Sequence, residues 1–248
     1  EIRIITESVK KWEEAHPDIK IRFEHTPYSG YLNKILTRIA GGAAPDIIAT
    51  EVDYFVSFAK YGVLEPLNSY YANDPSFNVN DFFPEVIKRF TFNGNLLVIP
   101  RDTAPFACVY YNKDLFDAAG IPYPKDDWTW SEFLQIAQKL TKFDEKDRST
   151  QYGFYGWAWK NFIYGNGGAL VDNVENPTKT VIDSPEAMEG LQFYVDLINK
   201  YKVMPTPVAL ANSGMGVDMM FEIGKLGMFL SGIWETPTFR TTKGLRWD

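Results

Sequence analysis

A chain of 248 residues, 45% hydrophobic and 23% charged, has the composition of a soluble globular protein. It is long enough for one large domain or two ordinary lobes. A formal net charge of −7 argues against nucleic acid, because no basic track for a phosphate backbone is present. No apolar run has the length of a membrane span. The single cysteine, Cys108, allows no internal disulfide and reads as a small buried hydrophobe inside the apolar run 106–111.

In chain order, Ile2, Ile5, Val9 and Trp12 recur on one helical face, and the helix should stop before Pro17, with His16 complementing its dipole. Residues 19–23 alternate apolar and polar and predict a strand, followed by a loop over 25–30. Leu32, Ile35, Leu36 and Ile39 predict a second helix, closed by Gly41 and Gly42. Pro45 and Asp46 lead into a short buried strand at 47–50, and a helix spans 53–61. This helix–strand alternation is the pattern of an α/β layer with a largely parallel sheet. Asn93-Gly94 marks a tight turn before the apolar stretch 96–99.

The polar residues 101–103 lie between that stretch and the apolar run 106–111, with Pro100 and Pro105 stiffening the passage. Such a segment reads either as a crossing between two lobes, whose polar residues face a cleft, or as a strand–loop–strand within one domain. Asn112-Lys113 then opens a helix. Thr129-Trp-Ser-Glu132 fits a capping box for a helix running to about 142. Ser184-Pro185-Glu186 starts another, running to about 200 and burying Leu191, Val195 and Ile198. Asp144–Thr150 faintly suggests a calcium loop but lacks its glycine and terminal glutamate, so it reads as a solvated turn.

Aromatic residues make up 16% of the chain, and some of them can serve a surface cleft as well as a core. Trp157 and Trp159 precede the glycines of 165–168, and Gly232 precedes Trp234. A tryptophan beside glycines has few side chains to pack against, but its face suits the clustered C–H bonds of a pyranose. The alternative is that these rings pack between helices. A sugar also needs fixed donors and acceptors, for which Arg101 and Asp102 at the crossing are candidates. Thr50, Glu51 and Asp53 follow the 47–50 strand, where open α/β sheets bind ligands, and Tyr28 lies in the loop before the second helix. Each carboxylate has a plainer reading as a surface or capping group, Asp53 above all. With only His16 and His25, metal and triad chemistry has few players, and no phosphate loop or Cys/His spacing occurs. No cofactor and no metal are expected. A glycosidase would need two carboxylates facing each other, a separation that sequence does not measure.

Several segments, in order, resemble the sugar-binding group of extracellular solute-binding proteins of ABC importers, which includes maltose-binding protein. They are Trp12-Glu-Glu-Ala-His-Pro-Asp18 with 19–23, Ala40-Gly-Gly-Ala-Ala-Pro-Asp-Ile-Ile48, Tyr61-Gly-Val-Leu-Glu-Pro-Leu67, Val109–Phe116 with Thr129–Phe133, the glycines of 165–168, and Gly224–Met228 through Trp234. The resemblance implies an α/β, two-lobed, type II periplasmic-binding-protein fold, each lobe a mostly parallel sheet flanked by helices, with the ligand in the cleft between them. The lobes are expected at 1–103, without the family's N-terminal strand, and at 104–248, without its C-terminal return segments. Matching positions imply ligand contacts from Tyr28, Thr50, Glu51, Asp53, Arg101, Asp102, Trp157, Trp159, Asn161, Gly232 and Trp234.

The function so implied is not enzymatic. It is capture of a sugar, an oligosaccharide more than a monosaccharide, by hinge closure, and delivery to membrane permease subunits. The protein is then exported to the periplasm or the outer face of the membrane with a lipid anchor, and acts as a monomer without nucleic acid. A polyamine or peptide as ligand, or a glycoside hydrolase, are the alternatives.

Overall fold

The computed structural model describes residues 2–101, 103–104, 106–146, 148–174 and 177–248. The chain divides into two compact units, Glu1–Asp102 and Thr103–Asp248.

The first unit contains helices α1 (Ile2–Ala15), α2 (Tyr28–Ala40), α3 (Val52–Lys60), α4 (Asn68–Ala72) and α5 (Pro84–Arg89), then the short strands β1 (Thr91–Phe92) and β2 (Asn95–Leu96). At the end of α1, the His16 ring stacks on Trp12 at 4.1 Å while its Nδ1 lies 2.9 Å from the Trp12 carbonyl. The β1–β2 hairpin turns on Asn93 and Gly94, both at positive φ (51° and 79°), the primed turn that suits the twist of two strands. Asn68 of α4 holds the hairpin: its Oδ1 accepts from the Leu96 amide at 2.9 Å and its Nδ2 donates to the Gly94 carbonyl at 3.3 Å. Phe55 and Ala59 of α3 meet Phe90 and Leu96 in a small core, with Phe55 edge-on to Phe90 at 5.3 Å.

Two expected strands of this unit do not form among the described residues. Residues 19–23 and 47–50 form no strand, and neither has a strand partner among the described residues. Alternation specifies which face a strand would bury, whereas a ladder also requires a hydrogen-bonded neighbour. Segment 47–50 is tied instead to α2, where the Tyr31 hydroxyl donates to the Ala49 carbonyl at 2.6 Å. Ile47, expected to be buried, is 89% exposed.

The second unit comprises β3 (Phe106–Tyr111), α6 (Lys113–Ala119), α7 (Trp130–Leu140), β4 (Lys142–Phe143), β5 (Ser149–Gly156), α8 (Trp159–Gly165), α9 (Pro185–Asn199), α10 (Pro207–Ser213), α11 (Val217–Glu222), β6 (Leu226–Gly232) and α12 (Thr236–Thr241). Its sheet has the order β3-β6-β5-β4. Only the central β5–β6 pair is parallel, and β3 and β4 run antiparallel to their neighbours. The expected mostly parallel sheet is therefore mixed, because β3 enters from the unit's first residues and pairs directly with the last strand. Helices α8 to α11 make the crossover between the parallel strands.

Every residue of β6 is buried, as expected of a central strand covered on both faces. Met228 and Leu230 point into one cluster with Phe116, Phe133 and Phe154, while Phe229 points into another with Tyr110, Phe221 and Phe239. Each fully buried phenylalanine stabilises the fold by about 1.5–3 kcal/mol. Helix α7 lies directly on β5: a Cβ on Gly153 would fall 1.8 Å from the Ala137 carbonyl oxygen, so only glycine permits this approach. Thr129 and Glu132 form the expected capping box, and Ser184 caps α9 through the Ala187 amide. The Asp144 turn closes on itself, its carboxylate accepting from the Lys146 and Arg148 amides at 2.9 Å and from the Arg148 side chain.

Candidate functional site

The topology gathers three rings at one edge of the second sheet. Strands β5 and β6 are parallel, so their carboxyl ends lie together, followed by Trp157 and Trp234. Strand β3 is antiparallel to β6, so its first residue, Phe106, pairs with Gly232 at that same edge. Phe106 lies 5.4 Å from Trp157, and Trp157 lies 6.1 Å from Trp234 with ring planes 29° apart. Phe106, Trp157 and Trp234 are 49%, 42% and 45% exposed. Trp157 and Trp234 thus lie at the surface rather than packed between helices. A row of half-open rings beyond the carboxyl ends of strands is where an α/β sheet offers a ligand an apolar face.

Local chemistry fixes the row. Ala107 sits at φ 96° inside a bulge where β3 slips register against β6. A left-handed alanine costs about 1–3 kcal/mol, and such strain clusters at functional sites. Trp234 folds back over Gly232, where a Cβ would lie 2.1–2.4 Å from the indole ring atoms. The Trp234 Nε1–H donates to Glu235 Oε1 at 3.1 Å, and the Ser231 hydroxyl donates to the same oxygen at 2.9 Å. Burial pushes the Glu235 carboxyl above the ordinary carboxylate range, and the Asp218 charge adds to the rise. Below the row, the Tyr110 hydroxyl donates to the Gly232 carbonyl at 3.0 Å and lies 2.8 Å from Thr236 Oγ1. A depression of about 430 Å³ opens between Phe106, Cys108, Tyr110, Ile233 and Thr236. Cys108 is exposed in it, contrary to expectation, on a strand that lies at the edge of the sheet.

The remaining second-unit candidates lie on α8. Trp159, its first residue, is half-buried. The Nδ2 of Asn161 is buried and has no hydrogen-bond partner among the described residues. A buried unpaired amide costs free energy unless something supplies an acceptor.

In the first unit, Tyr28 is the first residue of α2 rather than part of the loop before it. Its hydroxyl donates to Glu51 Oε2 at 3.1 Å. A hydrogen bond with Tyr54, then burial and the Glu51 charge, hold its proton well beyond the usual phenol range. Glu51 occupies the N-cap of α3 without a side-chain cap bond, and Asp53 stands exposed in the first turn. The half-buried Thr50 adjoins them, its hydroxyl 3.4 Å from the Glu51 carbonyl. Tyr28, Thr50 and Glu51 therefore come together, with Tyr54 as an unforeseen member. Arg101 is exposed at the end of the first unit, and Asp102 lies outside the described residues. Among the described residues no group of three or more His, Cys, Asp or Glu side chains could hold a metal ion.

Phe106 and Glu235 escaped the sequence reading. Phe106 is brought to the row by strand register, which no local pattern shows. Glu235 had one available signal, its position directly after Trp234.

A sequence profile described as bacterial extracellular solute-binding protein matches residues 1–243. A maltotriose-binding protein of Pyrococcus abyssi is 24% identical over 242 residues, covering 94% of this chain and 47% of that protein. An arabinooligosaccharide-binding protein of Bacillus subtilis is 25% identical over 239 residues, covering 90% of this chain and 53% of the relative. The solved structure of an ABC substrate-binding protein of Listeria monocytogenes in complex with cycloalternan is 32% identical, with a TM-score of 0.89, over 99% of this chain and 62% of that one. The chain spans about half the length of the curated relatives it matches.

Proposed function

Since this chain belongs to the family of bacterial extracellular solute-binding proteins and has their two-lobed, type II α/β fold, we propose that it captures a carbohydrate for an ABC importer. The observation that carries the sugar reading is the Phe106–Trp157–Trp234 row at the carboxyl edge of the second sheet. An aromatic face stacks on the C–H side of a pyranose, and neighbouring rings favour an oligosaccharide over a monosaccharide. Asn161 would supply a donor to a hydroxyl. Tyr28, Thr50, Glu51, Asp53, Arg101 and Asp102 would supply the polar contacts of the first unit, and Trp159 would border the row.

The proposed mechanism is closure. Sugar docks on the row, the units close over it, and the closed form is offered to the permease subunits. A ligand moves that equilibrium only by its preference for the closed state. The protein works as a monomer, without catalysis, in the periplasm or lipid-anchored at the outer face of the membrane.

The test is thermal melting of the full-length protein with maltotriose, cycloalternan and arabinooligosaccharides, chosen from what the relatives bind. A ligand at a hundredfold excess over its Kd adds about 2.7 kcal/mol to the native state. A rise in Tm with one of them, with the sugar recovered unchanged, is expected. No shift across these and a wider oligosaccharide panel, or cleavage of the sugar, would overturn the reading.

A further inference from the structure

Glu235 follows the last ring of the row and is half-buried. One of its oxygens accepts two hydrogen bonds, from Trp234 Nε1 at 3.1 Å and from Ser231 Oγ at 2.9 Å. Ser231 is itself buried in β6, so the carboxylate links the indole to the central strand of the sheet. The ordinary task of an acid at this position would be to cap the helix that follows. Glu235 stands at the N-cap of α12 yet makes no side-chain cap bond. It keeps its place although it is desolvated and lies near the carboxylates of Asp218 and Glu222, both of which oppose its charge. On the other side of the indole lies Gly232, where any side chain would strike the ring.

We propose that Glu235 is a positioning residue for sugar binding: by accepting from both Trp234 and Ser231, it fixes the plane of the indole that the pyranose meets. This rests on the reading that Trp234 faces the sugar. A bond at Nε1 restrains rotation of the ring, and the absent side chain at 232 lets the ring lie flat across the end of β6. The ring is then set before ligand arrives, so binding does not have to order it.

The experiment compares the full-length protein with Glu235→Gln, Glu235→Asp and Glu235→Ala. The Trp234 indole N–H resonance, assigned by its loss in Trp234→Phe, reports the bond without any ligand. Glutamine keeps an oxygen that can accept both bonds, so its indole resonance should stay close to the parent's, and maltotriose or cycloalternan should bind with near-parent affinity. Alanine removes the acceptor and aspartate withdraws it by one carbon. Both should move the resonance upfield to the position of a solvent-exposed indole and weaken binding by about tenfold. If alanine does not fold, aspartate carries the test. An unmoved resonance in either variant would overturn the proposal, as would a Glu235→Gln variant as weak as Glu235→Ala, which would assign the effect to charge. If the parent binds no sugar of the panel used for melting, the sugar reading fails, while the resonance still decides whether Glu235 holds the ring.

Discussion

Trp157 and Trp234 lie 6.1 Å apart with their planes 29° from parallel, although strand β6 and the whole crossover separate them in sequence. At that spacing no sugar ring fits between them, since each face-to-face contact needs about 3.5–4 Å. A sugar therefore meets the solvent-open parts of the two rings rather than a gap between them. Trp234→Ala should weaken oligosaccharide binding by roughly thirtyfold, about 2 kcal/mol, as for a buried aromatic anchor. Trp157→Ala should cost less, and the double variant less than the sum, because the rings are neighbours. Calorimetric titration of the three variants checks this.

Asn161 gives opposite signs for stability and binding. Its buried Nδ2 has no partner among the described residues, so replacing it with leucine removes an unpaired donor. Asn161→Leu should leave Tm unchanged or raise it, by about 1 kcal/mol of stability, while sugar affinity falls. A loss of stability without a loss of affinity would place the amide in the fold rather than in the site.

Gly153 governs the packing of α7 on β5. Gly153→Ala would drive a methyl group into the Ala137 carbonyl, 1.8 Å away at its ideal position. Overpacking of this kind costs about 1–3 kcal/mol or more, because backbone must move. Urea denaturation should show a lower midpoint with an unchanged slope.

Asp172 makes stability depend on acid. Its carboxylate accepts from the Thr178 hydroxyl and from the amides of Thr178, Lys179 and Asn173, which holds its pKa down at about 2, against 3.8 ordinarily. Folding thus favours the charged form. The contribution is fully present above about pH 4 and is lost as pH falls through 2. Asp172→Ala should melt below the parent at neutral pH, and the gap should close between pH 4 and 2. A constant gap would contradict the assignment.

Local signals carried much of the fold. Thr129 and Glu132 announced α7, Ser184-Pro185 announced α9, and Asn93-Gly94 announced the tight turn between β1 and β2, because caps and turns are decided within four residues. Strand β6 was invisible as a strand: buried at every position, Leu226–Gly232 has no alternation to read. Segments 19–23 and 47–50 failed in the opposite way, showing strand character in sequence without a strand partner among the described residues. For the candidate site, tryptophan beside glycine singled out 157 and 234, which the structure brings together. Phe106 joins them through pairing with Gly232, a relation between distant segments, and Glu235 acts through a bond that depends on how the Trp234 ring is turned.

The most direct test is a crystal structure of the full-length protein with maltotriose or cycloalternan bound. A pyranose ring stacked within about 4 Å of Trp234 or Trp157, with a hydroxyl at hydrogen-bond distance from Asn161 Nδ2, is the predicted result. A sugar held elsewhere, with the Phe106–Trp157–Trp234 row left bare, would contradict the account.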